Sequence, residues 1–386
     1  MVSLSATRVS PAKSLDLGEQ LRVAEVDTLS GWAEEWDQLS NHALIASPFL
    51  RSWWLDGVNT GRACYVLVYS DRGLVGGVAL ERRRRMFGVE RYVALGSGKL
   101  CPDHLDLVAA PERLEDVMGI IRSWFQAKGA RTLRAEGLVE NSHLGRAIPA
   151  SRVQATDVAI YASLPSSYAE YLRTRSKSRR QHLRRAARRF EADGFTFRRV
   201  EGAMVEAVLP AFWTLHACRA ERQELLAHRK RIDRAVSAGA ARGEVVAYVA
   251  EYGDETVAVY LTFQAQSRTC SYQLARRLGR DYDGIGNRMR DFAIEDACDH
   301  GRSEMDFLRG AEFHKLAFAS QRRTLCTLSA AHGLRGRLIL TAADAAAAWR
   351  TRVASAYRVL RHVATRRARS SNRVTRQGTA AGTRTP

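Results

Sequence analysis

The spacing of apolar and polar residues in the first half of the chain predicts both strands and helices. Trp32, Trp36 and Leu39 recur at helical spacing. A second helix is predicted for SPFLRSWWLDGVN, with Ser47 as its N-cap and Pro48 at its first position. A third helix is expected at 112–128, and strands are predicted for QLRVAEVD, ACYVLVYS, GLVGGVALE, VERYVALGSG, RTLRAEGL and VQATDVAIYASL.

The second half shows a similar order of elements. A helix is predicted for MVEAVLPAFWTLHACRAE after a strand at FTFRRV, and VVAYVAEYGDETVAVYLTFQAQSRTCSYQLA predicts three antiparallel strands with turns at 253–254 and 266–267. A further helix begins at 284–287, runs to about His300 and stops at Gly301, before the strands EMDFL and TLCTLSAAH. The repeated order predicts an α/β (α+β) fold of two tandem halves, with mixed, largely antiparallel sheets flanked by helices.

A strongly basic stretch separates the two halves. Residues 173–189 hold nine cations and no acid, and the pattern predicts an amphipathic helix whose apolar face is Leu183, Ala186, Ala187 and Phe190. Beyond Gly336, Thr341 and Asp344 are predicted to cap an Ala-rich helix. The expected organisation is a flexible leader (1–18), a first half (19–165), a basic connecting helix (166–194), a second half (195–340) and an Arg-rich helix with a disordered tail (341–386).

The charge of the chain favours anionic partners. The 386 residues include 60 Lys and Arg against 41 Asp and Glu, a formal charge of +19. The electrostatic field of so positively charged a chain attracts phosphates, nucleic acid or an anionic membrane surface without choosing among them. No apolar run reaches the roughly 20 residues of a bilayer span and the N-terminus lacks the apolar centre of a signal peptide, so we expect a cytoplasmic protein, with peripheral contact at the inner membrane left open. The six scattered cysteines form no metal-binding motif, so no metal is expected.

The most informative motif follows the three predicted strands of the second half. Gly284, Gly286 and Asn287 stand at the start of a predicted helix, where free backbone amides and the helix dipole attract a pyrophosphate. Arg288 is unfavourable at a bare helix N-terminus but suits one that holds an anion. The alternative is that the glycines form a turn before an ordinary helix.

The second half also resembles a known family. The segments SKSRRQHLRRAARRFEADG and DGIGNRMRDFAIEDACDHGRSEMDFLRGAEFHK look like the C-terminal half of cellulose-biosynthesis (CelD/BcsL-type) acetyltransferases of the GNAT superfamily. That domain is similar to the FemABX peptidoglycan aminoacyl ligases. SPFLRSWW, the strand before Glu81 and CPDHLDL resemble the N-terminal half of the group, so the similarity covers roughly residues 30–335.

The resemblance implies tandem GNAT-like domains and direct acyl transfer. The implied donor is acetyl-CoA or another acyl-CoA, and the acceptor an amine or hydroxyl of a small molecule, sugar or cell-envelope precursor. Residues 284–288 fall where GNAT enzymes hold the CoA pyrophosphate, although only a short Gly-x-Gly is present. Because FemABX relatives use aminoacyl-tRNA, tRNA is an alternative donor. A non-catalytic anion- or RNA-binding protein on the same scaffold is a further alternative.

Acyl transfer to an amine requires a base, an oxyanion-stabilising group and an acid for the departing thiolate. Asp306 lies between apolar neighbours on a short strand, where burial would raise its pKa and make it a base. His314 is a second candidate base, and Lys315 could stabilise an oxyanion or phosphate. Each of the three has a structural or solvated role as its alternative.

Further candidates lie elsewhere in the chain. Asp103 and Asp106 could supply a base and an acceptor-binding group in a cleft between the halves, or they could close a turn. Tyr282 is a candidate acid for the thiolate. In the basic helix, Arg179 and Arg180 could grip an anionic substrate, dock on RNA or form a solvated face.

Overall fold

The computed structural model describes residues 20–127, 129–148, 152–319, 321–346 and 349, so the predicted leader and most of the predicted tail lie outside the described residues. The strands are β1 (Arg22–Val26), β2 (Ala63–Ser70), β3 (Gly73–Met86), β4 (Val89–Ala94), β5 (Val108–Ala109), β6 (Arg131–Val139), β7 (Arg152–Ser163), β8 (Phe195–Glu201), β9 (Val245–Tyr252), β10 (Glu255–Ala265), β11 (Arg268–Arg276), β12 (Glu304–Arg309) and β13 (Gln321–His332). The helices are α1 (Ala33–Ser40), α2 (Ser52–Val58), α3 (Leu114–Phe125), α4 (His143–Ala147), α5 (Tyr168–Arg173), α6 (Lys177–Ala192), α7 (Met204–Ala217), α8 (Gln223–Leu226), α9 (Arg229–Ala241), α10 (Ile285–Asp299), α11 (Phe313–Leu316) and α12 (333–346). None of these described helices is long and apolar enough to cross a bilayer.

The strands of the described residues form one mixed sheet. Its order is β1-β2-β3-β4-β6-β13-β7-β12-β11-β10-β9-β8, with β5 paired to β3. Neighbouring strands along this order are antiparallel except β4 with β6 and β11 with β12. Each parallel pair spans a helix, α3 in the first half and α10 in the second. The two halves therefore repeat an antiparallel meander, a helix and a parallel strand, which confirms the predicted fold class.

The halves exchange their last strands. β7 ends the first half in sequence but pairs with β12 of the second half, from Glu304 opposite Ser163 to Arg309 opposite Ala159. β13 ends the second half and lies between β6 and β7. The sheet is therefore continuous across the two halves, and each half completes the other.

Two apolar cores cover the sheet. The larger one joins both halves, since Trp53 and Trp54 of α2 contact Phe263 of β10 with ring centroids 5.3 and 5.7 Å apart. The smaller core lies under α6 and α10, where Leu183 and Phe190 of the basic helix are buried as its apolar spacing predicted.

Contacts at the helix ends confirm two of the predicted helix boundaries and contradict one. Ser47 does cap a helical segment, because its Oγ accepts the amide of Phe49 at the start of a 3-10 turn that leads into α2. Gly301 has the positive φ of 65° expected of a helix stop. The predicted Thr341 cap is wrong: helical residues run through 333–346, and the Thr341 hydroxyl donates to the Arg337 carbonyl one turn earlier.

Candidate functional site

Strands β11 and β12 form a wedge that opens toward their C-terminal ends. Their parallel ladder contains three pairs, from Arg268 opposite Glu304 to Cys270 opposite Asp306. β11 then continues for six residues and β12 for three without pairing to each other. On this side β11 has an unpaired edge, which is able to hydrogen-bond an extended ligand.

Asp306 stands at the apex of this wedge. Its Oδ1 accepts the amide of Leu308 at 2.7 Å, and Leu308 has a positive φ of 59° in a bulge of β12. A left-handed conformation is unfavourable for Leu, so the bond to Asp306 stabilises the bend that turns β12 away from β11.

The Asp306 carboxylate is also the centre of a buried ion-pair network. Its Oδ2 accepts from Arg268 at 2.5 Å and from Arg323 at 3.1 Å, and both guanidinium groups also contact Glu304. His104 is fully buried with its Nε2 3.5 Å from Oδ2, and burial together with Arg268 holds the pKa of this imidazole well below its usual range. Because both carboxylate oxygens are occupied, the geometry of Asp306 favours its structural role.

Asp103 joins the first half of the chain to the same region. Its carboxylate accepts the backbone amide and the Nε of Arg309, each at 2.7 Å. Complete burial raises the pKa of Asp103 to about 6, although the Arg309 guanidinium opposes the shift. The two acidic clusters that the sequence left separate, around Asp103 and around Asp306, therefore meet behind the wedge.

Asp106 has a local structural role. Its carboxylate accepts the amides of Leu107, His143 and Leu144, which lie at its own strand end and at the start of α4. Helix-start amides prefer such an acceptor. These contacts favour the turn-closing alternative over substrate binding.

The N-terminus of α10 adjoins the open part of the wedge. Gly284 precedes the helix in the left-handed conformation, with φ 87° and ψ −5°, and no side chain caps the helix. A Cβ on Gly286 would lie 3.2 Å from Leu274 and 3.3 Å from Arg276, so the first turn packs against the diverging end of β11. The first turn contains no acid, which leaves the amides of Ile285 and Gly286 available to an anion.

Three arginines gather at this helix start. Arg189 of α6 donates to the Asp283 carbonyl, Arg290 donates to the Gly286 carbonyl, and Arg276 lies beside Gly286. Burial, reinforced by repulsion from Arg276, lowers the pKa of Arg290. Cations beside the positive end of a helix dipole are unfavourable unless an anion compensates them.

Arg288 does not belong to this group. Its guanidinium lies 3.3 Å from the Asp291 carboxylate and 3.9 Å from Glu295. It also stacks over the rings of Phe197 and Phe292. These contacts favour a role in packing α10 rather than in holding a phosphate.

The first half provides an internal comparison. Its counterpart of α10 is α3, which follows Pro111 and carries Glu115 and Asp116 in its first turn. Its counterpart of the wedge, between β4 and β6, is occupied by the chain itself, because Leu105 bridges to Leu138. Thus, of the two described parallel units, the second has the open wedge and the acid-free helix start.

His314, Lys315 and Tyr282 differ in how firmly they are engaged. His314 is half-buried on α11, where burial and the nearby Arg290 lower its pKa to about 4 and keep the imidazole neutral. The Lys315 ammonium donates to the Arg309 carbonyl and lies 2.9 Å from Glu312, which ties it to the turn after β12. The Tyr282 hydroxyl accepts from Arg277 at 3.3 Å.

The two arginines predicted to bind substrate lie at the start of α6. Arg180 donates to the Arg175 carbonyl. The Arg179 guanidinium stacks on Phe318 at 4.7 Å, and its Nε and one Nη have no hydrogen-bond partner among the described residues. Arg179 is therefore the better placed of the two to receive an anionic group.

Several residues of the site were not found from the sequence. Arg189 comes to the α10 start from α6 and Arg276 from the end of β11. Arg268 reaches Asp306 from the neighbouring strand β11, and Arg323 reaches it from β13, which lies beyond β7. Arg268 is the first residue of β11, directly after the turn at 266–267, so its position in the sequence gave no signal of burial.

Comparisons with known proteins agree with this geometry. Residues 177–316 match the family model of the acetyltransferase (GNAT) domain. The matched region spans the basic helix, the meander, α10 and β12, so it contains the wedge. The second half thus has the GNAT fold and contains a segment similar to the acetyltransferase (GNAT) domain. No curated protein sequence matches the chain.

Solved structures resemble the chain at low sequence identity. FemX superposes with a TM-score of 0.59 at 12% identity, covering 77% of this chain and 95% of that one. The C-terminal domain of a putative lysylphosphatidylglycerol synthetase from Agrobacterium fabrum gives 0.54 at 12%, covering 82% and 96%. L-PGS from Bacillus licheniformis gives 0.50 at 11%, covering 80% and 95%. At such identities these similarities establish the fold across both halves.

Proposed function

We propose that this protein is an acyl-CoA-dependent N-acyltransferase of the CelD/BcsL type that transfers its acyl group directly to an amine of a small-molecule, sugar or cell-envelope acceptor. The observation that carries the proposal is the uncapped, acid-free start of α10 beside the open wedge. There the amides of Ile285 and Gly286 would bind the donor pyrophosphate, with Arg189, Arg276 and Arg290 as counter-charges.

The wedge would hold the rest of the donor. The unpaired edge of β11 offers backbone groups to the amides of an extended pantetheine arm, in the manner of an added strand. The thioester would then lie deeper in the wedge than the pyrophosphate. Because Asp306 and Asp103 shape β12 from behind, we assign them a positioning role rather than direct contact with substrate.

Proton transfer is assigned to His314. A neutral imidazole can accept the proton of the acceptor ammonium, and burial beside Arg290 lowers the pKa of His314, so this imidazole is neutral near pH 7. The amine nitrogen then attacks the thioester carbonyl, the tetrahedral oxyanion collapses, and the thiolate leaves and takes up a proton. Tyr282 remains the candidate for that last proton, and Lys315 for oxyanion stabilisation.

Aminoacyl transfer from tRNA is the second candidate. It is favoured by the exposed cations along α6, Lys177, Arg184, Arg185 and Arg188, and by the similarity of fold to FemX. In this case the same amides would bind a phosphate of the acceptor end of the tRNA.

Isothermal titration with CoA, pantetheine and tRNA tests both candidates. We expect CoA to bind at least tenfold more tightly than pantetheine, because pantetheine lacks the phosphates. Equal affinities would refute the pyrophosphate site. Salt-dependent binding of tRNA without binding of CoA would favour the second candidate.

A further inference from the structure

We propose that the turn between β3 and β4, together with the exposed face of α12, forms a surface that docks the protein on an anionic phospholipid bilayer. We call it the lipid-facing patch; it comprises Met86, Phe87, Leu334, Leu338 and Trp349 with the arginines around them. The patch lies outside the wedge, so the inference does not rest on the proposed activity.

The tip of the patch is an aromatic residue in an unusual place. Phe87 and Gly88 form the two-residue turn between Met86 and Val89, with φ values of 49° and 77°. Turns with two positive φ values select Asn, Asp or Gly, because a bulky side chain is strained there. Phe87 is nevertheless 82% exposed, so turn geometry and burial both fail to explain an aromatic ring at this position.

Helix α12 adds an apolar stripe beside this tip. Leu334 is 80% exposed and Leu338, one turn later, is 70% exposed. At 100° per residue, Ala342 and Ala345 continue the same face within about 80° of arc. Trp349, three residues beyond the end of α12, is 66% exposed, and exposed Trp is typical of a membrane interface.

The two elements adjoin each other. A Cβ on Gly88 would lie 3.5 Å from Nη1 of Arg335 in α12. Gly336 packs so closely on the Arg131 carbonyl that a Cβ there would come within 2.7 Å of it. The turn and the helix therefore adjoin at Gly88 and Arg335, on the same part of the sheet.

The charge of the patch identifies its partner. Arg84, Arg85, Arg335 and Arg337 form no ion pair with any described carboxylate, whereas the nearby acids Glu81, Glu90 and Asp344 pair with Arg83, Arg131 and Arg152. An apolar stripe flanked by free arginines is complementary to anionic headgroups above acyl chains.

Other occupants of the patch are disfavoured by the same charge. A second copy of the chain would bring the same arginines face to face. The chain after residue 346 would add ten arginines and no acid. Either arrangement places like charges together and is repulsive.

Vesicle co-sedimentation with the full chain tests the proposal. We expect binding to phosphatidylcholine vesicles that contain phosphatidylglycerol, no binding to phosphatidylcholine alone, and loss of binding at high salt. Phe87→Asn should weaken binding roughly tenfold, since it removes a ring from the interface, while Asn suits the turn and preserves folding. Arg84→Gln with Arg85→Gln should weaken binding about 25-fold, at about fivefold per arginine.

Matched control variants distinguish vesicle binding through the lipid-facing patch from vesicle binding through the overall positive charge. Met204→Gln removes another exposed apolar side chain, and Arg184→Gln with Arg185→Gln removes two cations of α6. Both controls should leave vesicle binding within twofold of the parent protein. An equal loss in these controls, or a dimer in sedimentation velocity that Phe87→Asn dissociates, would overturn the proposal. RNA binding that depends on Phe87 in the absence of vesicle binding would overturn it as well.

Discussion

Asn287→Asp should raise the stability of the folded protein and at the same time lower its affinity for the donor. Asn287 is the third residue of α10, half-buried on a first turn that contains no acid. Aspartate has nearly the same size as asparagine, so the change adds one negative charge with little steric cost. Near a helix N-terminus such a charge stabilises the helix by about 0.3–1 kcal/mol. We therefore expect a small rise in melting temperature for the free protein.

The effect on the donor has the opposite sign. A pyrophosphate on the amides of Ile285 and Gly286 would lie within one helical turn of the new carboxylate. Two like charges about 4–6 Å apart near a protein surface repel by about 3–4 kcal/mol. With about half of that lost to solvent and salt, the affinity for CoA should fall by about 10- to 30-fold, whereas that for pantetheine should not change.

Titration calorimetry and thermal unfolding measure both effects on one sample. Ser178→Asp is the matched control, because Ser178 is exposed on the first turn of α6 and lies about 16 Å along that helix from Arg189. It should raise the melting temperature in the same way without affecting CoA. An Asn287→Asp protein that is more stable and binds CoA as before would refute the assignment of the α10 start as the phosphate site.

Three further changes test the framework around the site. Asp306→Asn should lower the free energy of unfolding by about 3–5 kcal/mol in urea titration, because it unbalances a buried ion-pair network; a loss below about 1 kcal/mol would contradict that network. Gly57→Ala should cost about 1–3 kcal/mol, since the new Cβ would lie 2.4 Å from the Cα of Ala235 in α9; an unchanged melting temperature would show that α2 and α9 are less tightly packed. Burial, with Arg222 nearby, lowers the pKa of His216 to about 3, so the unfolded chain binds a proton between pH 7 and 5 that the folded chain does not. Stability should fall by about 2 kcal/mol over that interval through His216 alone. His216→Leu should remove this part of the pH dependence, and an identical slope in the variant would contradict the shift.

Local patterns account for most of what the sequence predicted correctly. The Ser47 cap, the turns at 253–254 and 266–267 and the Gly301 stop depend on neighbouring residues, whose preferences are local. The glycine-led start of α10 was found for the same reason. Thr341 was misassigned because a hydroxyl within a helix can bond back to an earlier carbonyl instead of capping.

The rest of the site depends on contacts between distant segments. The pairing of Asp103 with Arg309 joins positions 206 residues apart, and no periodicity in either segment indicates it. Burial was predicted for Asp306, but its partners Arg268 and Arg323 follow from the register of β11 with β12 and from the registers of β12 and β13 with β7, which lies between them. A buried carboxylate whose partners are unknown suggests a base with a raised pKa. A buried carboxylate with two guanidinium partners indicates a structural anion.

The exchange of β7 and β13 explains why the wedge depends on both halves. β12 forms one edge of the wedge, and its other side pairs with β7, a strand from the first half. The bend in β12 is held by Asp306 from within and by Asp103 of the first half through the Arg309 amide. A second half alone would leave β12 with three ladder pairs to β11 and no partner on its other edge. In the first half, the equivalent gap between β4 and β6 is filled by Leu105. The first half therefore supports β12 and keeps the wedge of the second half open.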